Sequence, residues 1–168
     1  MGNSGIEIDD NDDSIQSLAP PSKLQRFEGI AFSSTGNIIA TAASETNTVF
    51  LFRRNANGLF EDTPYWSING PRSGINYPHD VAFALSGETE LLAVAQRRGA
   101  ISIYEKQRAS ENFGPDPVIE ICGSETKLNF SDGVAFVPPD NICLAACNLE
   151  IGTIFFINKL QSRRSDLN

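Results

Sequence analysis

The apolar residues of this chain fall into short runs, and segments rich in Gly, Pro, Asn, Asp and Ser separate the runs. Short apolar runs that turn residues bound on both sides are typical of β-strands. No stretch keeps the three- and four-residue spacing of an amphipathic helix for longer than one or two turns. The pattern therefore predicts an all-β fold.

The apolar runs recur along the chain with a period of 51 to 53 residues. In the first run of each repeat a β-branched residue precedes Ala and Phe, at Ile30, Val81 and Val134. Further sets of runs follow at matching distances: 38–42, 91–95 and 143–147; 49–52, 101–104 and 154–157; and, twice only, 65–70 and 118–123. Four short strands in such a period indicate a blade of a β-propeller.

The repeat assigns most of the chain to one propeller unit. We predict three blades' worth of four-stranded β-propeller in residues 14–159, with repeats near 27–76, 77–129 and 130–159. A small residue recurs in the second run of each repeat, at Ala40, Ala93 and Ala145. Because a recurring small residue indicates close packing between neighbouring sheets, all three alanines are expected to be buried.

One blade resembles a known family. Its first strand reads Tyr77-Pro78-His79-Asp80-Val81-Ala82-Phe83, and the apolar run 91–95 follows. The segment is similar to a blade of the YVTN and lactonase-type propellers, which are 6-phosphogluconolactonase- or gluconolactonase-like proteins. The resemblance extends over residues 27–159. The resemblance is specific for the blade architecture, and it is only weak support for a particular enzymatic activity.

The resemblance also implies a cation site. Glu28-Gly29 and Asp132-Gly133 are similar to the acidic-Gly pairs at the start of the innermost strand in regucalcin-type gluconolactonases. In that family the acidic residue helps to hold a divalent cation over the central channel. The resemblance therefore implies Glu28 and Asp132 as metal ligands and a divalent cation, calcium, as the cofactor. The alternative is that the two carboxylates hold loop backbone or are solvated, with no cofactor.

The strand count suggests how a ring could close. The third repeat lacks the fourth run, and residues 14–18 precede the first repeat at the distance where a fourth strand precedes the others. Three blades are too few for a ring, since propellers usually have four to eight. We therefore expect a homodimer that closes six blades, with 14–18 as an outer strand swapped onto the partner's run 154–157. The alternative is a fragment of a longer propeller.

The charge is concentrated at the N-terminus. Lys and Arg number 13 and Asp and Glu number 21, which gives a formal net charge of −8. Residues 1–13 hold five acids and no base, so we predict a disordered acidic tail there, and residues 160–168 are predicted as a C-terminal tail. An acidic chain without a basic stripe is not expected to bind nucleic acid or an anionic membrane.

Two features of the sequence bear on the cellular compartment: its N-terminal residues and its number of cysteines. The N-terminus has no secretory signal, and no apolar run is long enough to span a bilayer. The three cysteines, Cys122, Cys143 and Cys147, are an odd number that does not suit a disulfide framework. We expect buried free thiols in a reducing compartment, and hence a cytoplasmic protein.

Two classes of loop are expected to form the ligand face. In a propeller, the loops that enter the innermost strand and those between the second and third strands gather near the axis, and such loops carry function. The candidate ligand-face residues are Glu28, His79, Asp80, Arg97, Arg98, Asp132 and Asn148. His79 and Asp80 are neighbours on one strand and point to opposite sides, so they are not expected to form a catalytic dyad.

The function predicted from the sequence is binding. The chain contains no Gly-x-Ser-x-Gly nucleophile motif and no phosphate-binding P-loop. We predict a non-catalytic propeller module, a scaffold that presents its loop face to a protein or a small ligand. The alternative is a lactonase-like hydrolase that uses a divalent cation at the central channel.

Overall fold

The structure of the chain is a computed structural model, and it describes residues 16–18, 26–107, 109–138, 143–149 and 152–157. The tails predicted at 1–13 and 160–168 lie outside these ranges. The regular elements of the described residues are eleven strands and two short 3₁₀ turns, at Ser44–Thr46 and Ser124–Thr126. None of these elements is a helix with the length and apolar character needed to cross a membrane.

The strands form three antiparallel sheets in chain order. Sheet 1 contains β1 (Phe27–Phe32), β2 (Ile38–Ala43), β3 (Thr48–Arg53) and β4 (Trp66–Ile68). Sheet 2 contains β5 (Pro78–Ser86), β6 (Thr89–Gln96), β7 (Ala100–Gln107) and β8 (Ile119–Cys122). In the described residues, sheet 3 contains β9 (Ser131–Val137), β10 (Cys143–Asn148) and β11 (Thr153–Ile157). The all-β prediction is confirmed.

The three sheets share one strand register. Equivalent residues of the second and third strands face each other, in the pairs Ala40 with Leu51, Ala93 with Ile103, and Ala145 with Phe156. In every sheet the first strand lies at one edge, and β5 contacts both β1 and β9. The first strands therefore lie side by side at the centre of the arrangement, and the later strands extend outward from them.

Two apolar cores hold the sheets face to face. Leu51 of sheet 1 packs with Leu92 and Tyr104 of sheet 2 in the first core. Ile103 of sheet 2 packs with Leu144 of sheet 3 in the second core. All five side chains have no exposed surface. Because burial of such a side chain contributes about 1.5–3 kcal/mol, the contacts between sheets stabilise the fold.

Two of the three recurring alanines are buried as expected. Ala40 and Ala93 are 0% exposed, one in each core. Ala145 is half-buried, so the prediction is wrong for this residue. Within the described residues, no fourth sheet packs onto the side of sheet 3 that carries Ala145. The alanine position is fully buried only where another sheet follows.

The arrangement leaves an apolar face uncovered at each end of the described sheets. The side of sheet 1 that points away from sheet 2, the leading face, exposes 63% of Ile30 and 55% of Phe32. The side of sheet 3 that points away from sheet 2, the trailing face, exposes 65% of Ile154 and 68% of Phe156. Exposed apolar patches of this kind are typical of contact surfaces.

The outer strand predicted at 14–18 is not observed in its described part. Residues 16–18 have no strand conformation. The Gln16 side-chain amide bonds both backbone groups of Phe60, accepting from the Phe60 N–H at 2.8 Å and donating to its carbonyl. Leu18 packs against the apolar cluster on the leading face. This segment therefore contacts its own chain through the side chains of Gln16 and Leu18, and not through a ladder of backbone hydrogen bonds. Residues 14 and 15 lie outside the described ranges.

The three cysteines are free thiols, as expected. Their predicted burial is wrong, because Cys122 and Cys147 are exposed and Cys143 is half-buried. Cys147 lies in β10 beside the trailing face, where no described sheet covers it. Cys122 ends the outermost strand of sheet 2, at its solvent edge.

Candidate ligand-binding face

Three predicted ligand-face residues meet where the innermost strands begin. Glu28, His79 and Asp132 are each the second residue of their strand, in β1, β5 and β9 respectively. Because these strands lie side by side, equivalent positions of the three sheets come together at one end of the axis. The side chains are between 14% and 22% exposed, so they are largely shielded and still reach solvent.

His79 is the centre of the group. Its Nδ1 lies 2.8 Å from the Asp132 carbonyl oxygen and 3.2 Å from the Asp132 carboxylate. Its Nε2 lies 3.0 Å from the Glu28 carboxylate. A protonated imidazolium donates to both acids, whereas a neutral ring with its proton on Nδ1 donates to Asp132 and accepts from Arg97 at Nε2. The ring thus lies between the two carboxylates, and Arg97 contacts it at Nε2.

Two arginines close the group at its ends. The Arg97 Nε lies 2.9 Å from the Asp132 carboxylate. The Arg26 Nε donates to Glu28 at 2.8 Å, and a second Arg26 nitrogen contacts the same carboxylate oxygen. The five side chains thus contact one another in the order Arg26, Glu28, His79, Asp132, Arg97, and we call this set the axial ion-pair chain. Both of its carboxylates already have a cationic partner.

The surroundings of Glu28 favour its charged form. Partial burial by itself raises the pKa of the Glu28 carboxyl, but hydrogen bonds from Arg26 and Ser44 and the nearby His79 outweigh it. The net result is a pKa below the ordinary value. The Ser44 hydroxyl donates to Glu28 at 3.1 Å from the turn that follows β2. Glu28 is therefore a carboxylate held in place by donors from two segments.

Replacement of Glu28 by glutamine is expected to destabilise the chain by about 1–3 kcal/mol at neutral pH, because charged hydrogen bonds are lost. Since the folded pKa is depressed, the stability that the carboxylate contributes is present above its ordinary pKa of 4.5 and is lost as the pH falls through the lower folded value. Urea unfolding of the unchanged protein and of the Glu28→Gln variant, from neutral pH to about pH 3, measures the difference between their free energies of unfolding. A difference that stays constant over this range contradicts the ion pairing of Glu28.

Asp80 serves the contact between sheets. Its carboxylate accepts the Val134 backbone N–H at 2.9 Å, which ties β5 to β9. Glycine occupies the equivalent position in the neighbouring sheets, as Gly29 and Gly133. A Cβ atom on Gly29 would lie 2.5 Å from the Asp80 Cα, so β1 and β5 approach this closely only because the side chain is absent. Asp80 is thus apart from the axial ion-pair chain, as its orientation opposite to His79 predicts.

The remaining two candidates take different positions. Arg98 is exposed in the turn between β6 and β7. Asn148, the last residue of β10, is 2% exposed and donates its side-chain amide to the Lys127 carbonyl at 3.0 Å. The Asn148 side chain therefore supports the loop before β9 through its hydrogen bond to the backbone.

The predicted calcium ligands lie on opposite sides of one imidazole. Glu28 and Asp132 are separated by His79, and each contacts an arginine. Among the described residues there is no group of three or more His, Cys, Asp or Glu side chains arranged to hold a metal ion. A hard cation needs several converging oxygens, so the calcium site stays a prediction that rests on the resemblance.

Several residues of this face were not among the sequence candidates: Arg26, Ser44, Tyr77, Lys127 and Phe130. Arg26 stands two positions before Glu28, and residues two apart on an extended chain share a side. That spacing was a usable signal for the Arg26 contact. Ser44 approaches Glu28 from another strand pair, and no local pattern reports such a contact.

No family model and no curated protein matches the sequence of this chain. Solved structures match its fold. The β-propeller domain of Swd1 from Myceliophteria thermophila has a TM-score of 0.58 at 11% identity, over 89% of this chain and 38% of that one. A candidate 6-phosphogluconolactonase from Bacteroides uniformis has a TM-score of 0.58 at 16% identity, over 83% and 40%. Hydrazine synthase from Kuenenia stuttgartiensis has a TM-score of 0.56 at 15% identity, over 88% and 38%.

These similarities establish the fold. The predicted β-propeller arrangement is confirmed, and the resemblance to lactonase-type propellers holds at the level of fold. The chain spans about two fifths of the length of each of these structures. The names of the second and third describe different activities and the name of the first describes only a propeller domain, so the shared architecture does not assign an activity to this chain.

Proposed function

We propose that the chain is a non-catalytic propeller module, a scaffold whose loop face binds a protein or a small ligand. The observation that carries the proposal is the axial ion-pair chain. Its two carboxylates, Glu28 and Asp132, are bound by arginine and imidazole side chains. The side chains at the centre of the face are therefore held in fixed positions, and the negative charges of the carboxylates are neutralised. A surface fixed in this way suits recognition, since its side chains are held in position before a ligand arrives.

The lactonase-like alternative requires a different arrangement. A hydrolase that uses a divalent cation needs oxygens free to converge on the ion. Here a cation at Glu28 or Asp132 would have to displace Arg26 or Arg97 from the carboxylate. The two functions therefore differ in a measurable property, the binding of calcium to Glu28, and a calcium titration of the folded chain tests the proposal.

We also propose that two copies of the chain associate head to tail. The support is the equivalence of positions between the sheets. On the trailing face, Phe156 is equivalent to Leu51 and Ile103, which are both 0% exposed in the contacts between sheets, whereas Phe156 is 68% exposed. The trailing face of sheet 3 is thus equivalent to the face that sheets 1 and 2 each bury against the following sheet. No described residues cover it on sheet 3.

The leading face repeats the complementary side. Ile30 is equivalent to Val81 and Val134, which are 3% and 8% exposed in the two cores, whereas Ile30 is 63% exposed. A concavity of about 470 Å³ beside Ile30 is lined mainly by apolar side chains, among them Phe32 and Phe60. In the proposed dimer, the exposed Ile154 and Phe156 of the second copy's trailing face pack into this concavity.

Two head-to-tail contacts are identical if two chains form a closed ring with a two-fold axis. Each leading face then meets the partner's trailing face, and six sheets surround the axis, within the usual range for propellers. Residues 16–18 lie on the leading face. They are therefore placed where the partner's β11 would approach, next to the edge of that strand at which no described strand pairs.

A further inference from the structure

A groove with basic and aromatic residues runs over the loop face beside the axial ion-pair chain. It consists of two adjoining concavities that share Arg98. The first, of about 330 Å³, is lined by Tyr77, Arg97, Arg98 and Phe130. The second, of about 560 Å³, includes Lys127 and Leu128. We call these six residues the basic groove.

The charged side chains that line the groove are basic, whereas the chain as a whole is acidic. The formal net charge is −8, yet Arg97, Arg98 and Lys127 line the groove, and none of the described Asp or Glu side chains lines either concavity. Arg98 is exposed and forms no ion pair with a described residue. A cationic guanidinium that is open to solvent and faces a concavity is available to a carboxylate or a phosphate.

The groove is held in shape by contacts below it. Arg97 is fixed by Asp132 at 2.9 Å, and its guanidinium carbon lies 5.8 Å from the centre of the Phe130 ring, which is 37% exposed. The Asn148 amide holds the Lys127 carbonyl at 3.0 Å from beneath. The cations and the aromatic ring are thus presented on supported loops.

Two residues of the groove, Tyr77 and Lys127, have a left-handed backbone conformation. Tyr77 has a φ of 57°, a conformation that is unfavourable for a bulky side chain. Two contacts impose it: the Tyr77 N–H donates to the Asn47 side chain at 2.6 Å, and the Tyr77 carbonyl accepts the Arg97 N–H at 3.0 Å. Strain that its surroundings maintain in this way is concentrated at functional sites.

We propose that the basic groove binds an acidic peptide segment, one whose carboxylates alternate with an aromatic or aliphatic side chain. This inference rests on the proposed binding function and names its ligand. The cations belong to separate turns, after β6 and before β9, and both concavities open to solvent. Cations placed along an open groove match a ligand with several spaced carboxylates, and the partly exposed Phe130 ring offers apolar contact between them.

The test uses a fluorescein-labelled octapeptide, Asp-Glu-Phe-Asp-Glu-Leu-Asp-Glu, and the full chain at low salt, with binding followed by fluorescence anisotropy. We expect saturable binding that weakens as salt is added, and a loss of affinity of about tenfold in Arg98→Gln. Arg72→Gln is the matched control, because it removes the same charge from an exposed arginine that pairs with Asp116 outside the groove. Its affinity should equal that of the unchanged chain.

Three results overturn the inference: no saturable binding, equal losses in Arg98→Gln and Arg72→Gln, or displacement of the peptide by inorganic phosphate at low millimolar concentration. The last assigns the groove to a phosphate group. Failure of the peptide alone is distinguishable from failure of the proposed function, because calcium binding at Glu28 is measured separately and decides between binding module and hydrolase.

Discussion

Replacement of Phe156 by aspartate is expected to convert an assembly of two chains into single chains. Phe156 is 68% exposed on the trailing face, so a charge there leaves the sheets of one chain intact. In the proposed ring the same position is buried against the partner's leading face, where an unpaired carboxylate is strongly unfavourable. Because the ring has two identical contacts, the substitution acts at both. Light scattering during gel filtration measures the change, from twice the 18.3 kDa of one chain to that mass.

The control for this experiment is Leu59→Asp. Leu59 is also an exposed large apolar residue, at 50%, but it lies in the loop after β3 and does not line the concavity of the leading face. This variant should keep the mass of two chains. A single-chain mass for the unchanged protein, folded at micromolar concentration, contradicts the head-to-tail proposal and favours an open arc of three sheets.

The substitution Gly29→Ala is expected to cost about 3 kcal/mol of folding stability, the upper part of the usual range for overpacking. The new methyl group would lie 2.5 Å from the Asp80 Cα and 2.7 Å from the His79 carbonyl oxygen. Both atoms belong to the backbone of β5, so no side-chain rotation can relieve the clash. Denaturation in urea gives the free energy of unfolding.

Gly133→Ala is the matched control, since Gly133 is the equivalent residue of β9. Its added methyl group would lie 2.7 Å from the Cys147 Sγ, the end of an exposed side chain that can rotate away. The cost should therefore stay below about 1 kcal/mol. Equal destabilisation by the two substitutions would show that the close approach of β1 and β5 does not set the packing at the axis.

The sequence predicted the eleven described strands well because each is an apolar run bounded by turn residues, and the repeat placed equivalent residues at equivalent positions. The partly polar run 14–18 is the exception, since residues 16–18 have no strand conformation. The repeat explains why Ala40 and Ala93 are buried as expected. The same reasoning was wrong for Ala145, since burial of a sheet face depends on what packs against it. The pattern within a strand carries no information about the presence of the next sheet.

The site was predictable only in part, for a related reason. Glu28, His79 and Asp132 stand at equivalent positions of the repeat, and the fold brings equivalent positions together at the axis. The partners that determine their chemistry come from elsewhere: Arg97 from the turn after β6 and Ser44 from the turn after β2. Those contacts depend on the sheet geometry, which the spacing of residues along one strand does not express.

Calcium binding at Glu28 is the measurement that most directly separates a binding module from a cation-dependent hydrolase. Thermal unfolding of the full chain is recorded in calcium chloride and in EDTA, beside the Glu28→Gln variant. If the axial ion-pair chain occupies both carboxylates, calcium leaves the melting temperature of each protein unchanged. A melting temperature that rises with calcium concentration, as mass action requires of a bound ligand, and a rise that Glu28→Gln abolishes, would contradict the proposed function.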